Sequence, residues 1–252
     1  MPVATLAEID LSFGGQRVLE GVSLQIGESD RIALAGANGS GKTSLMKVIT
    51  GDLEPDAGIR SLKRGATVSY LPQVGLVHAG RTLYEEVEDA FSGAAELLRE
   101  REEIGETLKE PEKLSEGRRE QLLHRHQELY EELEERRYYS REQEIGTVLT
   151  GLGFFESDLS RDCSEFSGGW QMRIALAKRL LSRADLLLLD EPTNYLDLPA
   201  REWLQDFISS YPGAVCLVSH DRAFLDETTD RVAELFHGRL KSYPMIYSRY
   251  ER

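Results

Sequence analysis

Apolar and polar positions alternate along VATLAEIDLSF (3–13) and again along GVSLQIG (21–27). A period of two predicts strands with one buried face, paired antiparallel. DRIALAG (30–36) follows as a nearly unbroken apolar run, the pattern of a strand covered on both faces. SLMKVITG reads as a helix stopped at Gly51, and ATVSYLPQ (66–73) as a further strand. From 82 to about 139 the periodicity is helical. Beyond 174, IALAKRLL predicts a helix, LLLLDEP and AVCLVSH two buried strands, and RVAELFHGRLKSY a hairpin around Gly238. Buried strands alternating with helices predict an α/β fold: a mostly parallel core sheet covered on both faces, with an antiparallel β subdomain at the start.

The middle of the chain has another character. Residues 96–140 hold 14 Glu against 9 Lys or Arg, a net charge of −5 (9 − 14). Leu97, Ile104 and Leu108 are spaced by seven and four, and Leu122, Leu129 and Leu133 repeat that spacing. Each set is a narrow stripe on a charged helix, and Pro111, Ser115 and Gly117 lie between them. The prediction is a helical hairpin sealed by a thin leucine seam; the opposing reading is a low-complexity insert without fixed structure. The expected division is an α/β core with antiparallel β subdomain from 1–80 and 160–252, and a helical subdomain 81–159 that carries the 96–140 hairpin.

The whole chain of 252 residues is acidic, with net charge −14 and pI near 4.9, so a basic whole-protein footprint for nucleic acid is absent. Cys163 and Cys216 stand far apart without metal-ligand spacing and read as reduced packing residues. No signal peptide opens the sequence, and no apolar run approaches the roughly 20 residues that span a bilayer. The expectation is a cytoplasmic protein that does not itself insert into a membrane.

GANGSGKT (36–43) fits G-x-x-x-x-G-K-[ST] without deviation, after an apolar strand and before a helix. Gly36, Gly39 and Gly41 let the backbone turn so that the N–H groups of Gly36, Ala37, Asn38, Gly39, Ser40 and Gly41 converge on phosphates. The N-terminus of the helix that carries Ser44 adds partial positive charge. Lys42 is assigned to the β- and γ-phosphates of a nucleotide, and Thr43 to Mg²⁺. LLLLDEP ends a buried strand on two adjacent carboxylates, costly unless a metal or a water network uses them. Asp190 is therefore assigned to Mg²⁺ through water, and Glu191 to polarising the attacking water. His220 ends the second buried strand and is placed to donate to the γ-phosphate; Gln73, ending VSYLPQ, is placed to reach Mg²⁺ or the water.

The P-loop, YLPQ, SGG, LLLLDEP, NYLD and SHD, in that order, resemble the ATP-binding cassette (ABC) ATPases across essentially all of the chain outside 96–140. That resemblance implies that Phe13 stacks on adenine, that Gln73 is the Q-loop, Asp197 the D-loop and His220 the switch histidine. It also implies that Ser167, Gly168 and Gly169 cap the ATP held by the P-loop of a facing cassette. One P-loop then calls for a second cassette, either a homodimer partner or the other half of a tandem protein.

Trp170, where transporter cassettes usually carry glutamine, resembles the ABC-F group, which are soluble proteins acting on ribosomes. DEPTNYLD, SHDRAFLD (219–226), the tail FHGRLKSYPMIYSRYER and the 94 residues from Gln73 to Ser167 agree with the first cassette of such a protein. The implied role is a ribosome-associated translation or antibiotic-resistance factor, using ATP and Mg²⁺. The alternative is the ATP-binding subunit of a membrane transporter, with VGLVHAGRTLYEEV (74–87) lining a groove for a helix of its membrane partner. A third reading, a cassette working on DNA, calls for a far longer coiled-coil insertion.

Overall fold

The computed structural model describes residues 2–73, 80–110, 112 and 114–251. Of the 74–87 segment that the transporter reading assigns to a partner groove, residues 74–79 lie outside them. The chain begins as strands β1 (Pro2–Phe13) and β2 (Gln16–Gly27), joined through Gly14 and Gly15 at φ 55° and 86°. Positive φ at both central positions is what a tight hairpin of matching twist demands. Strand β3 (Arg31–Ala35) leads through the glycine loop into helix α1 (Lys42–Thr50), which ends at Gly51 in a left-handed cap. Strands β4 (Ala57–Leu62) and β5 (Val68–Leu71) follow.

Strand β4 is absent from the sequence reading. AGIRSL is mostly exposed and shows no apolar alternation, so its strand character comes from long-range pairing with β1. At Gly58 (φ 99°) a Cβ would lie 2.4 Å from the Glu8 carbonyl oxygen, so the bulged β1 backbone requires glycine there.

Among the described residues four α-helices come next: α2 (Leu83–Glu88), α3 (Ala95–Leu108), α4 (Glu116–Glu135) and α5 (Arg141–Gly151). A reciprocal cap between Thr82 and Glu85 starts α2. Helical structure thus runs past 139, to Gly151. The two leucine stripes lie on α3 and α4, where Ile104, Leu122 and Leu129 form a small buried seam flanked by Leu97, Leu108 and Leu114. Arg125 forks onto Glu100 at 2.8 and 2.9 Å and reaches Glu132 at 3.2 Å, tying the two helices across their polar faces.

Helix α6 (Gly168–Leu181) opens the last part, followed by β6 (Leu186–Asp190), α7 (Leu198–Ser209), β7 (Ala214–Val218), α8 (Arg222–Thr228), β8 (Arg231–Phe236), β9 (Arg239–Tyr243) and α9 (Tyr247–Tyr250). The predicted hairpin around Gly238 is β8–β9. One sheet has the order β2-β1-β4 and is antiparallel. The other has the order β5-β6-β7-β3-β8-β9 and is parallel except for the β8–β9 edge.

Two cores explain the unbroken leucine run. Leu186 and Leu188 face a core shared with β1, β2 and α1, whereas Leu187 and Leu189 face one shared with α5, α6 and α7. Each fully buried leucine contributes about 2 kcal/mol of transfer free energy, so β6 is held from both sides. The strands β5, β6, β7 and β3 are neighbours and run in one direction. The loops after all four therefore emerge at one edge, the usual place for a ligand in an open α/β sheet.

Candidate functional site

That edge carries an open groove of about 510 Å³, lined by Phe13, Gln16, Val18, Asn38, Gly39, Gly41, Lys42, Thr43, Ser44, Gln73, Asp190, Glu191, Val218 and His220. Its size is within the range that holds small ligands. Residues from five separate segments, assigned to one nucleotide on sequence grounds, meet here.

The glycine loop is shaped as its motif requires. Gly36, Gly39 and Gly41 have φ of 149°, 77° and 103°. A Cβ on Gly36 would lie 2.5 Å from the Leu235 carbonyl oxygen, and one on Gly41 2.7 Å from Val18 Cγ1. Ser40 N donates to the Ala37 carbonyl at 3.1 Å, closing the turn. The Ser40 hydroxyl is buried without a hydrogen-bond partner, a cost that an anion in the loop would remove. Gly41 caps α1 with no side-chain acceptor, and no acidic residue stands in the first turn. The helix N-terminus thus presents free N–H groups and uncompensated partial positive charge to the groove.

Lys42 Nζ donates to the carbonyls of Gly36 and Ala37 at 2.8 and 3.0 Å, which hold the ammonium over the loop. Burial pushes its pKa below the ordinary lysine value, while Asp190 and Glu191 pull it back up. An added phosphate would act in the same sense as the carboxylates. Thr43 Oγ1 donates to Asp190 Oδ2 at 2.8 Å. Hard oxygens so placed, on a threonine and a carboxylate only 4% exposed, are the donor set Mg²⁺ takes.

Glu191 is 6% exposed and non-glycine with φ 55°. Such a conformation costs about 1–3 kcal/mol and persists only where surroundings enforce it. Here they do: Glu191 N donates to Val218 O at 2.8 Å, and Glu191 Oε2 accepts from the His220 backbone N at 3.2 Å. His220 Nε2 stands 3.4 Å from Glu191 Oε1 on a ring that is 71% exposed. The carboxylate is fixed by backbone, while the imidazole beside it is exposed at the groove wall. Phe13 closes the groove from the β1–β2 turn, half exposed with its ring open to stacking. Gln73 lies two residues beyond β5, exposed at the groove wall.

Ser167, Gly168, Gly169 and Asp197 are not in this groove. Ser167 is the N-cap of α6 and its side chain makes no cap hydrogen bond. A Cβ at Gly168 would meet nothing within 4 Å, so the helix N-terminus is open at that residue, while one at Gly169 would lie 3.3 Å from the Tyr195 ring. Asp197 caps α7 by accepting from Ala200 N at 3.2 Å.

The model of the ABC transporter family matches residues 19–194, more than half of the chain. The chain is an ABC-type ATP-binding cassette. Proteins of this family hydrolyse ATP, and the cassette is an ATPase. It is 36% identical to ABC transporter F family member 5 of Arabidopsis thaliana, over 97% of this chain and 35% of that protein. It is 34% identical to the ATP-binding protein YdiF of Bacillus subtilis (99% and 38%), and 32% identical to the energy-dependent translational throttle protein EttA of Mycobacterium tuberculosis (98% and 43%). The cassette therefore spans less than half the length of each of these relatives. A solved ATP-binding subunit of an ABC transporter superposes with TM-score 0.68 at 22% identity, covering 96% of this chain and 90% of that one, and carries the fold. Cassettes of the family pair with a second cassette, and among the described residues no helix is long and apolar enough to cross a membrane.

Within the cassette, the geometry accounts for Trp170. Its ring packs edge-on against buried Phe154 at 4.9 Å, and the Arg173 guanidinium lies 4.4 Å from its centroid. The tryptophan seats the first turn of α6 on the core, beneath the glycines. Arg173 itself escapes the sequence reading. Its signal is the i, i+3 spacing from Trp170, which puts both on one helix face.

Proposed function

We propose that this cassette binds ATP with Mg²⁺ in the β1–β2/β3–α1 groove and hydrolyses it only against a second cassette, as part of an ABC-F protein acting on the ribosome. One observation carries the first half of this reading. The groove gathers Phe13, the glycine loop, Gln73, Asp190, Glu191 and His220, while the Ser167–Gly169 helix N-terminus lies outside it, with open space beside Gly168. A phosphate site split in this way is completed by a facing copy of the same surfaces, or by the other half of a tandem protein.

In this reading Phe13 stacks on adenine, and the loop from Gly36 to Gly41, with Lys42 and Ser44, holds the phosphates. Thr43, Asp190 and Gln73 would hold Mg²⁺, which when bound would supply neutralisation of phosphate charge. Glu191, fixed by Val218 and His220, accepts hydrogen-bond donation from the attacking water, and the exposed His220 ring donates to the γ-phosphate. Ser167 and the N–H groups near Gly168 and Gly169 donate to the facing γ-phosphate, and Asp197 lies at the seam between cassettes.

The ribosomal part rests on two supports. Relatives matched over nearly the whole chain include an F family member and a translational throttle protein. The α3–α4 hairpin adds a projecting charged element that nucleotide chemistry does not use, and we assign 96–140 to an arm that meets the ribosome. The acidic charge of the arm favours a basic ribosomal protein over bare RNA as its contact. The protein would then be cytoplasmic. The experiment is co-sedimentation of the Glu191→Gln protein with ribosomes, with ATP and without. ATP-dependent pelleting, lost on deletion of 96–140, is the expected result; absence of pelleting in both conditions refutes the ribosomal assignment.

A further inference from the structure

The first turns of α6 are bound to the loop before α7 by one buried cation. Arg173 is only 8% exposed. Its Nε donates to the Tyr195 carbonyl at 2.8 Å and its Nη1 to the Leu152 carbonyl at 2.9 Å. Its Nη2 stands 3.5 Å from Asp197 Oδ2, and Trp170 covers one face of the guanidinium. The fit is close from behind as well: at Gly153, with φ 90°, a Cβ would lie 3.0 Å from Nη1. A second contact joins the same two segments, since a Cβ on Gly169 would lie 3.3 Å from the Tyr195 ring.

These segments serve different nucleotides in the paired arrangement proposed above, on which this inference rests. Tyr195 and Asp197 continue from Glu191, at the end of the strand that faces the chain's own ATP. Gly168 and Gly169 face the ATP of the other cassette. We propose that Arg173 is a positioning residue that locks the Ser167–Gly169 turn to the D-loop around Asp197 of its own chain, and so couples the two ATP sites of a pair. A planar fork of five donors is required for this, because its partners are two carbonyls and a carboxylate in different directions. A lysine has the charge but reaches one of them. A displacement of Tyr195–Asp197 when one ATP is bound or cleaved is therefore passed to the helix N-terminus that holds the other phosphate.

The test uses initial rates of ATP hydrolysis by the paired protein, with ATP affinity and thermal midpoint measured alongside. Wild type is expected to show a sigmoidal dependence on ATP. Arg173→Lys should keep affinity within about twofold and lose about tenfold in kcat, with a hyperbolic curve, in the range typical of coupling between sites. Arg173→Met should behave like Arg173→Lys, because charge alone does not restore the fork. Asp197→Asn, which keeps the cap of α7, tests the same link if the arginine variants do not fold. Turnover and curve shape within twofold of wild type in both Arg173→Lys and Asp197→Asn overturn the proposal. So does a joint fall of thermal midpoint, affinity and turnover in both, which is the mark of a merely structural residue, or a hyperbolic wild-type curve. Ser167→Ala separates the two levels: if it hydrolyses normally, the paired-site reading fails; if it is inactive while Arg173→Lys is normal, only the coupling fails.

Discussion

The nucleotide groove and the α3–α4 hairpin are built on opposite principles. The groove breaks local rules throughout. It holds Glu191 at positive φ, an unpartnered buried serine hydroxyl, a lysine whose pKa burial lowers, and two nearly buried carboxylates in sequence. Each is costly alone and is sustained by the two-sided core behind β6 and β7. The hairpin follows local rules over most of its length: mainly strong helix formers, a Ser115 cap on α4, leucines at helical spacing and charges outside. Yet its seam is small, and its ion pairs are exposed to water. Strain concentrated over a deep core marks the place where charge must be met by ligand. Regular helices over a shallow core are expected to be separable from that place, which the hairpin substitutions below test.

Four changes test this contrast, the strongest first. Glu191→Gln should lower turnover by about 10²–10⁴-fold, the usual contribution of a positioned base, with ATP binding retained; steady-state kinetics beside calorimetry checks it, and wild-type turnover would remove Glu191 from that role. Lys42→Ala should weaken ATP by about 100-fold, since charged hydrogen bonds to phosphate contribute about 1.5–3 kcal/mol each. Retained tight binding in calorimetry would break the assignment of the groove. Leu129→Ala, at the fully buried centre of the seam, should cost about 3 kcal/mol, confined to the hairpin. Hydrogen exchange should quicken in α3 and α4 while ATP affinity stays put; a loss of affinity would join two regions that this contrast separates. Arg125→Ala should have the least effect, under about 1 kcal/mol, because its pairs with Glu100 and Glu132 are well exposed and screened. A larger shift in denaturant midpoint would mean that the hairpin depends on its charges more than on its seam.

Legibility in the sequence follows the range of the interactions. The glycine loop, LLLLDEP and the strand that leads to His220 are readable because their constraints are local: glycines where φ is positive, apolar residues where both faces are covered, polar groups just past the end of a parallel strand. The two leucine stripes are readable for the same reason. Strand β4 is not, because its residues are exposed and its conformation is imposed by the bulged partner β1. Arg173 is not, because its acceptors are main-chain carbonyls 21 and 22 residues distant, which carry no side-chain signature. Trp170 stands between these cases. Its apolar nature suggests packing, while its partner Phe154 and the guanidinium over it emerge only in three dimensions.

The claim at the centre of the account is that a groove complete in its own P-loop and carboxylates still lacks part of its phosphate site. Ser167→Ala addresses it most directly, since Ser167 lies outside the groove and makes no cap hydrogen bond of its own. The account predicts that ATP affinity of the single cassette is unchanged while turnover of the paired protein falls by about tenfold or more, as loss of one donor to a developing charge does. Turnover equal to wild type, with ATP bound, would contradict it.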